Sequence, residues 1–217
     1  ISLLSISCGD TSSPPGPTAV PTITAIEVDT GKNDDYITSD DKLTVKGEVT
    51  GLGLNEKVEV SNGGTWEKAD VTGNSWKLDD LDTHTATFTY DVRVTDDAGN
   101  VGANTASQQV VIDTEGPEIT AISIETDNSS VDIDFGEAVY STDGGSGDLA
   151  KEDFKLKITG GVATVDATPA SISKSGTVYT LVLTLTGPVP NGLEVLTVKP
   201  VDDSIYDVAG NEALGGG

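Results

Sequence analysis

The chain is poor in several residue types on which common kinds of site depend. Its 217 residues include one cysteine, Cys8, and one histidine, His84. A single cysteine excludes an internal disulfide framework and a zinc site with four cysteine ligands. A single imidazole gives little material for Ser-His-Asp or Cys-His catalysis, and His84 falls in the turn-like sequence Asp82-Thr-His-Thr85, where we expect a turn residue.

Basic residues are scarce as well. Lys and Arg number 12 against 36 Asp and Glu, so the formal net charge is −24. Contacts to phosphates need clustered Lys and Arg, and the charge therefore argues against nucleic acid and against an anionic membrane surface as partners. A chain this acidic repels itself unless cations screen or bind it, which makes a divalent metal the first partner to consider.

The motifs of several enzyme classes are missing. We find no glycine-rich phosphate loop, dinucleotide fingerprint or metalloprotease helix motif. The tract Gly144-Gly-Ser-Gly147 has neither the spacing nor the strand-to-helix setting of a nucleophile elbow. No apolar run approaches the roughly 18 residues that a membrane-spanning helix needs. The sequence therefore predicts a protein that is not an enzyme.

What the sequence does contain is an internal repeat. Pro21-Thr-Ile-Thr-Ala-Ile-Glu-Val28 returns as Pro117-Glu-Ile-Thr-Ala-Ile-Ser-Ile124, and Asp-x-Ala-Gly-Asn tracts follow at Asp96–Asn100 and Asp207–Asn211. Only Asp113-Thr-Glu-Gly-Pro117 separates the two repeats. Two strand-rich units in tandem predict two domains rather than one large cleft. The predicted divisions are a tail at 1–20, a first domain at 21–114 and a second domain at 115–217.

Alternating apolar and polar residues predict short strands in both repeats. In the first repeat they fall at 23–28, 43–49, 57–60, 66–71, 75–78, 86–94 and 107–112. In the second they fall at 119–124, 131–135, 154–158, 170–173, 178–185 and 193–198, with a polar insertion at 141–149. We therefore expect an all-β fold of two tandem immunoglobulin-like β-sandwiches behind a short extended N-terminal tail. Gly99 and Gly210 are expected to supply the positive φ of a tight hairpin.

Parts of both repeats resemble known modules. The stretch from Gly73 to Asn100, running on to Ile112-Asp-Thr-Glu-Gly-Pro117, resembles the bacterial Ig-like repeats of large surface adhesins and extracellular stalks. In the second repeat, Phe135-Gly-Glu-Ala-Val139, Asp153-Phe154 and Asp207–Asn211 are similar to Ig-like modules of cell-wall and surface-layer proteins. The resemblance implies an extracellular, non-enzymatic module for spacing, adhesion or assembly, often stiffened by calcium.

The N-terminal octapeptide Ile1-Ser-Leu-Leu-Ser-Ile-Ser-Cys8 has three interpretations. It resembles the end of a bacterial lipoprotein signal with Cys8 as the lipidated residue, although Ser5 stands where such signals usually carry leucine. It is equally consistent with an uncleaved remnant of a signal. The third interpretation is a donor strand, in which Ile1, Leu3, Leu4 and Ile6 complete the sheet of a neighbouring subunit.

Acidic residues cluster in the predicted loops, and calcium takes six to eight oxygen ligands of this kind. In an immunoglobulin-like topology these loops, together with one beginning near Glu137, converge on the linker between the repeats. We expect calcium there, and the candidate ligands are Asp29, Asp34, Asp35, Asp40, Asp79, Asp80, Asp113, Glu115, Asp207 and Asn211. The alternative is that these residues form turns and keep the surface soluble.

Two functions of different classes follow. The first is a surface-anchored spacer or adhesin segment at the bacterial cell surface, with neighbouring surface modules or a surface glycan as partners. The second is a subunit of an extracellular, pilus-like filament that binds other molecules of the same chain through its N-terminal strand. A third candidate is a carbohydrate-binding module in which Trp66 and Trp76 form a stacking platform, although core packing is the commoner role of such residues.

Overall fold

The computed structural model describes residues 15–214, which are almost entirely β-structure. Cys8 and the donor-strand residues Ile1, Leu3, Leu4 and Ile6 lie outside the described residues. The strands of the first repeat are β1 (Val20–Glu27), β2 (Ile37–Thr38), β3 (Thr44–Thr50), β4 (Glu56–Ser61), β5 (Glu67–Lys68), β6 (Asp70–Thr72), β7 (Ser75–Asp79), β8 (Phe88–Asp96) and β9 (Val101–Ile112). Those of the second are β10 (Ala121–Ile124), β11 (Ser130–Asp134), β12 (Phe154–Thr159), β13 (Thr164–Val165), β14 (Ser171–Ser175), β15 (Val178–Val182), β16 (Leu185–Thr186) and β17 (Val195–Pro200).

The strands of the first repeat form two sheets. One has the order β1-β3-β7-β6 and the other has the order β2-β9-β8-β4-β5, in which β2 pairs with β9 in parallel. The predicted strand at 66–71 is divided at Ala69, which is 1% exposed. Before it β5 pairs with β4, and after it β6 pairs with β7. The chain therefore changes sheet at a small buried residue.

Four strands of the second repeat form one sheet, in the order β10-β11-β15-β14. Two smaller sheets join β12 to β17 and β13 to β16, each pair antiparallel. A 3₁₀ turn at Lys151–Asp153 leads into β12. No helix in the described part of the chain is long and apolar enough to cross a membrane.

Every predicted strand overlaps an observed one, so the all-β prediction is confirmed. The immunoglobulin-like arrangement stays a prediction. Two short strands were not predicted, β2 at Ile37–Thr38 and β13 at Thr164–Val165. Alternation needs at least four residues to be visible, so a two-residue strand leaves no pattern in the sequence.

The buried side chains follow from this alternation. In β8, Tyr90, Val92 and Val94 are fully buried, and the residues between them are more exposed. The core of the second repeat is built around Phe135, Phe154 and Tyr179, whose ring centroids lie 6.0 to 6.5 Å apart. Such tilted and edge-on aromatic contacts add to the free energy gained from burial alone.

Residue contacts group the described chain into two compact units. The smaller unit contains residues 15–24, 46–78 and 89–108, and the larger unit contains residues 25–45, 79–88 and 109–214. The larger unit thus combines segments of the first repeat, β2 among them, with the described part of the second. The predicted domain boundary at 114/115 stays a prediction.

Candidate functional site

The two Asp-x-Ala-Gly-Asn tracts form the same hairpin. In the first, the Asp96 carboxylate accepts hydrogen bonds from the Asn100 amide and from Asn100 Nδ2, both at 2.8 Å. In the second, the Asp207 carboxylate accepts the equivalent pair from Asn211, both at 2.9 Å. Gly99 has φ 83° and Gly210 has φ 84°. The predicted role of both glycines is therefore confirmed, and it is conformational.

The surroundings of the two hairpins differ. A Cβ on Gly99 would meet nothing within 4 Å, whereas a Cβ on Gly210 would lie 2.8 Å from the carbonyl oxygen of Asp143 and 3.0 Å from the amide nitrogen of Gly31. Asp207 is completely buried. Gly99 thus stands at an open position of its hairpin, whereas Gly210 is packed inside the larger unit.

The packing partner of the second hairpin is the loop after β1. The Lys32 amide donates to Val208 O at 3.0 Å, and Thr30 Oγ1 donates to Ala209 O at 2.8 Å. A Cβ on Gly31, between them, would lie 2.1 Å from Val208 O, so the two backbones touch directly. We call this contact of residues 30–32 with residues 208–210 the joint. It links the first repeat to the second inside the larger unit.

A third segment, the linker between the repeats, ties into the same hairpin. Asn211 Nδ2 donates to Asp113 O at 2.9 Å as well as to the Asp207 carboxylate. A Cβ on Gly116 would lie 2.0 Å from Glu212 O. Asn211 Nδ2 thus holds the linker against the hairpin, and the predicted role of Asn211 as a calcium ligand stays a prediction.

The carboxylates of Asp113, Glu137 and Asp207 lie close enough to repel one another, and we call them the acidic cluster. Burial raises the pKa of Asp207, and the Asp113 charge raises it further against the hydrogen bonds from Asn211. Desolvation raises the pKa of Glu137, and Asp207 and Asp113 add to the rise. The predicted convergence of the acidic loops on the linker as a metal site stays a prediction.

A cleft of about 620 Å³ opens beside Asp113 and Glu137, and Glu115 and Glu118 also line it. Glu115 is exposed, and its amide donates to Asp113 Oδ1 at 3.2 Å. Glu137 was predicted to begin one of the converging loops, but it was not predicted to be a metal ligand. Glu118 was not predicted at all, because it stands in the repeated Pro117–Ile124 sequence rather than in a loop. Phe135 and Leu214 also line the cleft.

The loop after β1 holds a second group of acids. Asp29 Oδ2 accepts a hydrogen bond from the Tyr36 amide at 3.3 Å, and Asp34 is exposed with φ 66°. Asp29 Oδ1 is buried and has no hydrogen-bond partner among residues 15–214. Burial raises the pKa of Asp29, and the nearby Asp35 charge adds to this, while the amides of residues 34–36 act in the opposite direction.

Three of the remaining candidate ligands accept hydrogen bonds within their own turns. Asp35, Asp40 and Asp80 each accept one from the amide two residues further along, at 2.9 to 3.0 Å. This is the turn-forming role that the sequence offered as the alternative to calcium. Asp79 Oδ1 instead accepts a hydrogen bond from the hydroxyl of Thr44 in β3, at 2.9 Å.

The proposed ligands were also compared with the needs of a metal ion. Among residues 15–214, no three His, Cys, Asp or Glu side chains are grouped so that they could hold one. The charges of the acidic cluster repel one another, but among residues 15–214 the acidic side chains are not arranged as a coordination shell. Calcium binding stays a prediction, and the buried Asp29 Oδ1 is the acceptor atom whose surroundings argue most for it.

The two hairpins predict opposite titration behaviour. Asn211 and Asn100 make equivalent bonds, but Asp207 has a raised pKa because it is buried, and Asp96 has a lowered pKa because of the Asn100 side-chain and backbone hydrogen bonds. Carbon-detected NMR titration should place Asp207 above the ordinary value of 3.8 and Asp96 below it. Equal pKa values would show that Asp207 is not buried as described.

The consequence for stability follows from linkage. The contribution of Asp207 to the free energy of unfolding is fully present below pH 3.8 and is lost as the pH rises through its pKa in the folded protein. That of Asp96 is present above pH 3.8 and is lost as the pH falls through its folded pKa. Asp96→Asn should therefore weaken the pH dependence of the unfolding temperature below pH 3.8. Asp207→Asn should weaken that dependence above pH 3.8. Thermal unfolding from pH 2 to pH 7 measures both.

The aromatic and imidazole residues are structural. Trp76 is 2% exposed and donates from Nε1 to Glu48 O at 3.0 Å, so it is a core residue. Trp66 is 38% exposed, but the Arg93 guanidinium lies 4.0 Å from its ring centroid. His84 lies in a loop, where it stacks on Phe88 and its Nε2 lies 2.8 Å from the Asp80 carboxylate. Trp66 and Trp76 thus do not form an open sugar-stacking platform.

No protein-family model and no curated protein matches the chain. Among solved structures, the chain is similar to one from a study of host cell surface retention by a 1.5-MDa bacterial ice-binding adhesin, at 16% identity over 90% of this chain and 65% of that one, with a TM-score of 0.30. It is also similar to the N-terminal part of the bacterial S-layer protein SbsC, at 17% identity over 82% of this chain and 43% of that one, with a TM-score of 0.24. The chain thus spans less than two thirds of either protein's structure.

Proposed function

We propose that the chain is a non-enzymatic structural protein of the bacterial cell surface, in which tandem β-sandwich modules act as a spacer or adhesin segment. The joint is the observation that carries this proposal. A spacer has to hold each module at a fixed angle to the next, and a flexible linker does not fix that angle. Here the backbone of residues 30–32 lies directly against the backbone of residues 208–210.

The composition supports the same function. The net charge of −24 keeps a surface protein soluble and repels it from anionic surfaces. Neither repeat contains cysteine, so the stability of the modules does not depend on the redox state of the compartment. The side chain of Trp76 is buried in packing, so it offers no open face to a glycan, and His84 stacks on Phe88.

The anchor is tested by mass spectrometry of the native N-terminus. A spacer held by lipid predicts that Cys8 is the first residue and that it carries acyl chains. Surface labelling of intact cells should then reach both repeats. An unacylated chain found inside the cell would contradict the proposal, whereas an unacylated chain on the outside would leave the spacer function and remove the lipid anchor.

Calcium has a limited role in this proposal. The acidic cluster and Asp29 concentrate negative charge near the joint, and a cation bound there would relieve the repulsion between Asp113, Glu137 and Asp207. We expect calcium to bind here with a Kd on the order of 10⁻⁴ to 10⁻³ M, the range of extracellular modules. The contacts of the joint then hold without calcium, and calcium adds stability to them.

Asp113→Asn tests this role. Without calcium, the variant should unfold at a slightly higher temperature at pH 7, because it removes one of the repelling charges and keeps the backbone oxygen that Asn211 binds. Addition of about 5 mM calcium, above the expected Kd, should raise the unfolding temperature of the natural protein by a few degrees and that of the variant by less. The matched control is Glu152→Gln, which removes an exposed acid elsewhere. An identical calcium response in all three proteins would refute binding at the acidic cluster.

A further inference from the structure

Two asparagines of the chain are followed by glycine, Asn62 by Gly63 and Asn191 by Gly192. This dipeptide is prone to spontaneous deamidation, because glycine has no Cβ to keep its amide nitrogen away from the preceding side chain. The other seven asparagines precede larger residues. Asn62 directly follows β4, and Asn191 lies between β16 and β17. The sequence therefore offers two equivalent sites for this modification, both in loops.

The reaction has two steps. In the first, the glycine amide loses its proton to solvent and its nitrogen bonds to Cγ of the asparagine. The side-chain amide takes up a proton and leaves as ammonia, which closes a succinimide ring. In the second step, water opens the ring at either carbonyl and leaves an aspartate or an isoaspartate, in which the main chain runs through the former side chain. The first step thus depends on whether the glycine amide can lose its proton.

The structure holds the site at Asn191 against this step. The Gly192 amide donates to Glu194 Oε2 at 3.0 Å, and the Asn191 amide donates to the same carboxylate at 3.0 and 3.2 Å. Backbone hydrogen bonds, first of all the one from the Val162 amide, lower the pKa of Glu194 to about 2, so it is ionised at neutral pH. Removal of the Gly192 proton would place a negative nitrogen beside a negative carboxylate, and the Coulomb repulsion between them opposes this.

The Gly63 amide donates instead to a neutral group, the Ser61 hydroxyl, at 3.2 Å. A hydroxyl can rotate and donate its own proton, so it does not oppose a negative charge on the Gly63 nitrogen. The asparagine side chains themselves are held alike. Each Oδ1 accepts the amide two residues further along, at 3.3 Å from Gly64 and at 3.1 Å from Leu193. The acceptor of the glycine amide is therefore what distinguishes the two sites.

We propose that Asn62 is a site of spontaneous deamidation and that Glu194 protects Asn191 from the same reaction. Each event at Asn62 adds a negative charge to the loop between β4 and β5. An isoaspartate also lengthens the main chain of that loop, next to the pairing of Val60 with Glu67. The inference concerns the chemical lifetime of the folded chain and does not rest on the spacer function.

The test is incubation of the full chain at neutral pH, followed by peptide mass spectrometry. In the folded protein, Asn62 should react about tenfold to a hundredfold faster than Asn191, the rate equivalent of one hydrogen bond to a charged group. In concentrated urea, where the Glu194 contacts are lost, the two sites should react at similar rates. Equal rates in the folded protein, or a faster reaction at Asn191, overturn the proposal. So does a difference that persists in urea, because the fold would then not be its cause.

Glu194→Gln tests the protecting group itself. The variant removes the charge and keeps a side-chain oxygen that accepts amide hydrogen bonds. It should speed the deamidation of Asn191 by about tenfold or more and leave that of Asn62 unchanged. Glu152→Gln, which removes an exposed charge elsewhere, is the matched control and should change neither rate. An unchanged rate at Asn191 in a folded Glu194→Gln variant refutes the protection. Circular dichroism checks the fold, and if the variant is unfolded, the natural protein with and without urea decides alone.

Discussion

Gly31→Ala is expected to destabilise the larger unit by about 2–5 kcal/mol. Gly31 has φ 68°, and a side chain in this conformation costs about 1–2 kcal/mol. Its Cβ would also lie 2.1 Å from Val208 O and 2.5 Å from the Ala209 carbonyl carbon. These are backbone atoms that cannot rotate away, so the two segments have to separate, at the further cost of about 1–3 kcal/mol seen for overpacking. Chemical denaturation followed by far-UV circular dichroism measures the loss.

Gly176→Ala is the matched control. Gly176 lies in the same unit and has φ 65°, but a Cβ there would meet nothing within 4 Å. It should lose only the conformational part, about 1–2 kcal/mol. Equal effects of the two substitutions would mean that Gly31 does not touch the hairpin, and the joint would have to be abandoned.

Trp76→Ala is expected to destabilise the smaller unit by about 3–5 kcal/mol, the range for removal of a large buried aromatic side chain. The indole is buried, and it also donates a hydrogen bond to Glu48 O. It packs so closely on Gly47 that a Cβ at that position would lie 2.4 Å from the ring. Gly47 has no side chain that could fill the space left by the indole. Urea denaturation followed by the fluorescence of Trp66, with circular dichroism as a second probe, gives the change.

Trp66→Ala is the companion substitution. It removes a partly exposed ring and its contact with Arg93, which is worth about 0.5–1 kcal/mol. The two variants also separate packing from sugar binding. A carbohydrate module would lose glycan binding in Trp66→Ala at unchanged stability, whereas we expect no glycan binding by the natural protein. Glycan binding that depends on Trp66 would restore the carbohydrate function.

The strands could be predicted because their pattern is local. In β8, the alternation from Phe88 to Asp96 is enough to identify both the strand and its buried face. The hairpin glycines were predictable for the same reason, since a turn between two strands needs positive φ at one position. The convergence of acidic loops near Asp113 was predicted from the expected repeat topology, and it stays a prediction.

What could not be predicted depends on contacts between distant residues. Asp96 and Asp207 stand in nearly identical sequences, but only Asp207 is buried, because residues 30–32 cover its hairpin. The calcium prediction depended on counting carboxylates, and counting does not show which of them already accept amide hydrogen bonds, as Asp35 and Asp40 do.

The central claim is that direct backbone contacts, without a metal ion, join the loop after β1 to the second hairpin. Its most direct test is hydrogen exchange of the Lys32 amide in the presence of a calcium chelator, because that amide donates to Val208 O at 3.0 Å. We predict exchange at least a hundredfold slower than in an unstructured peptide, and a loss of that protection in Gly31→Ala. Exchange at the unprotected rate in the natural protein would contradict the joint.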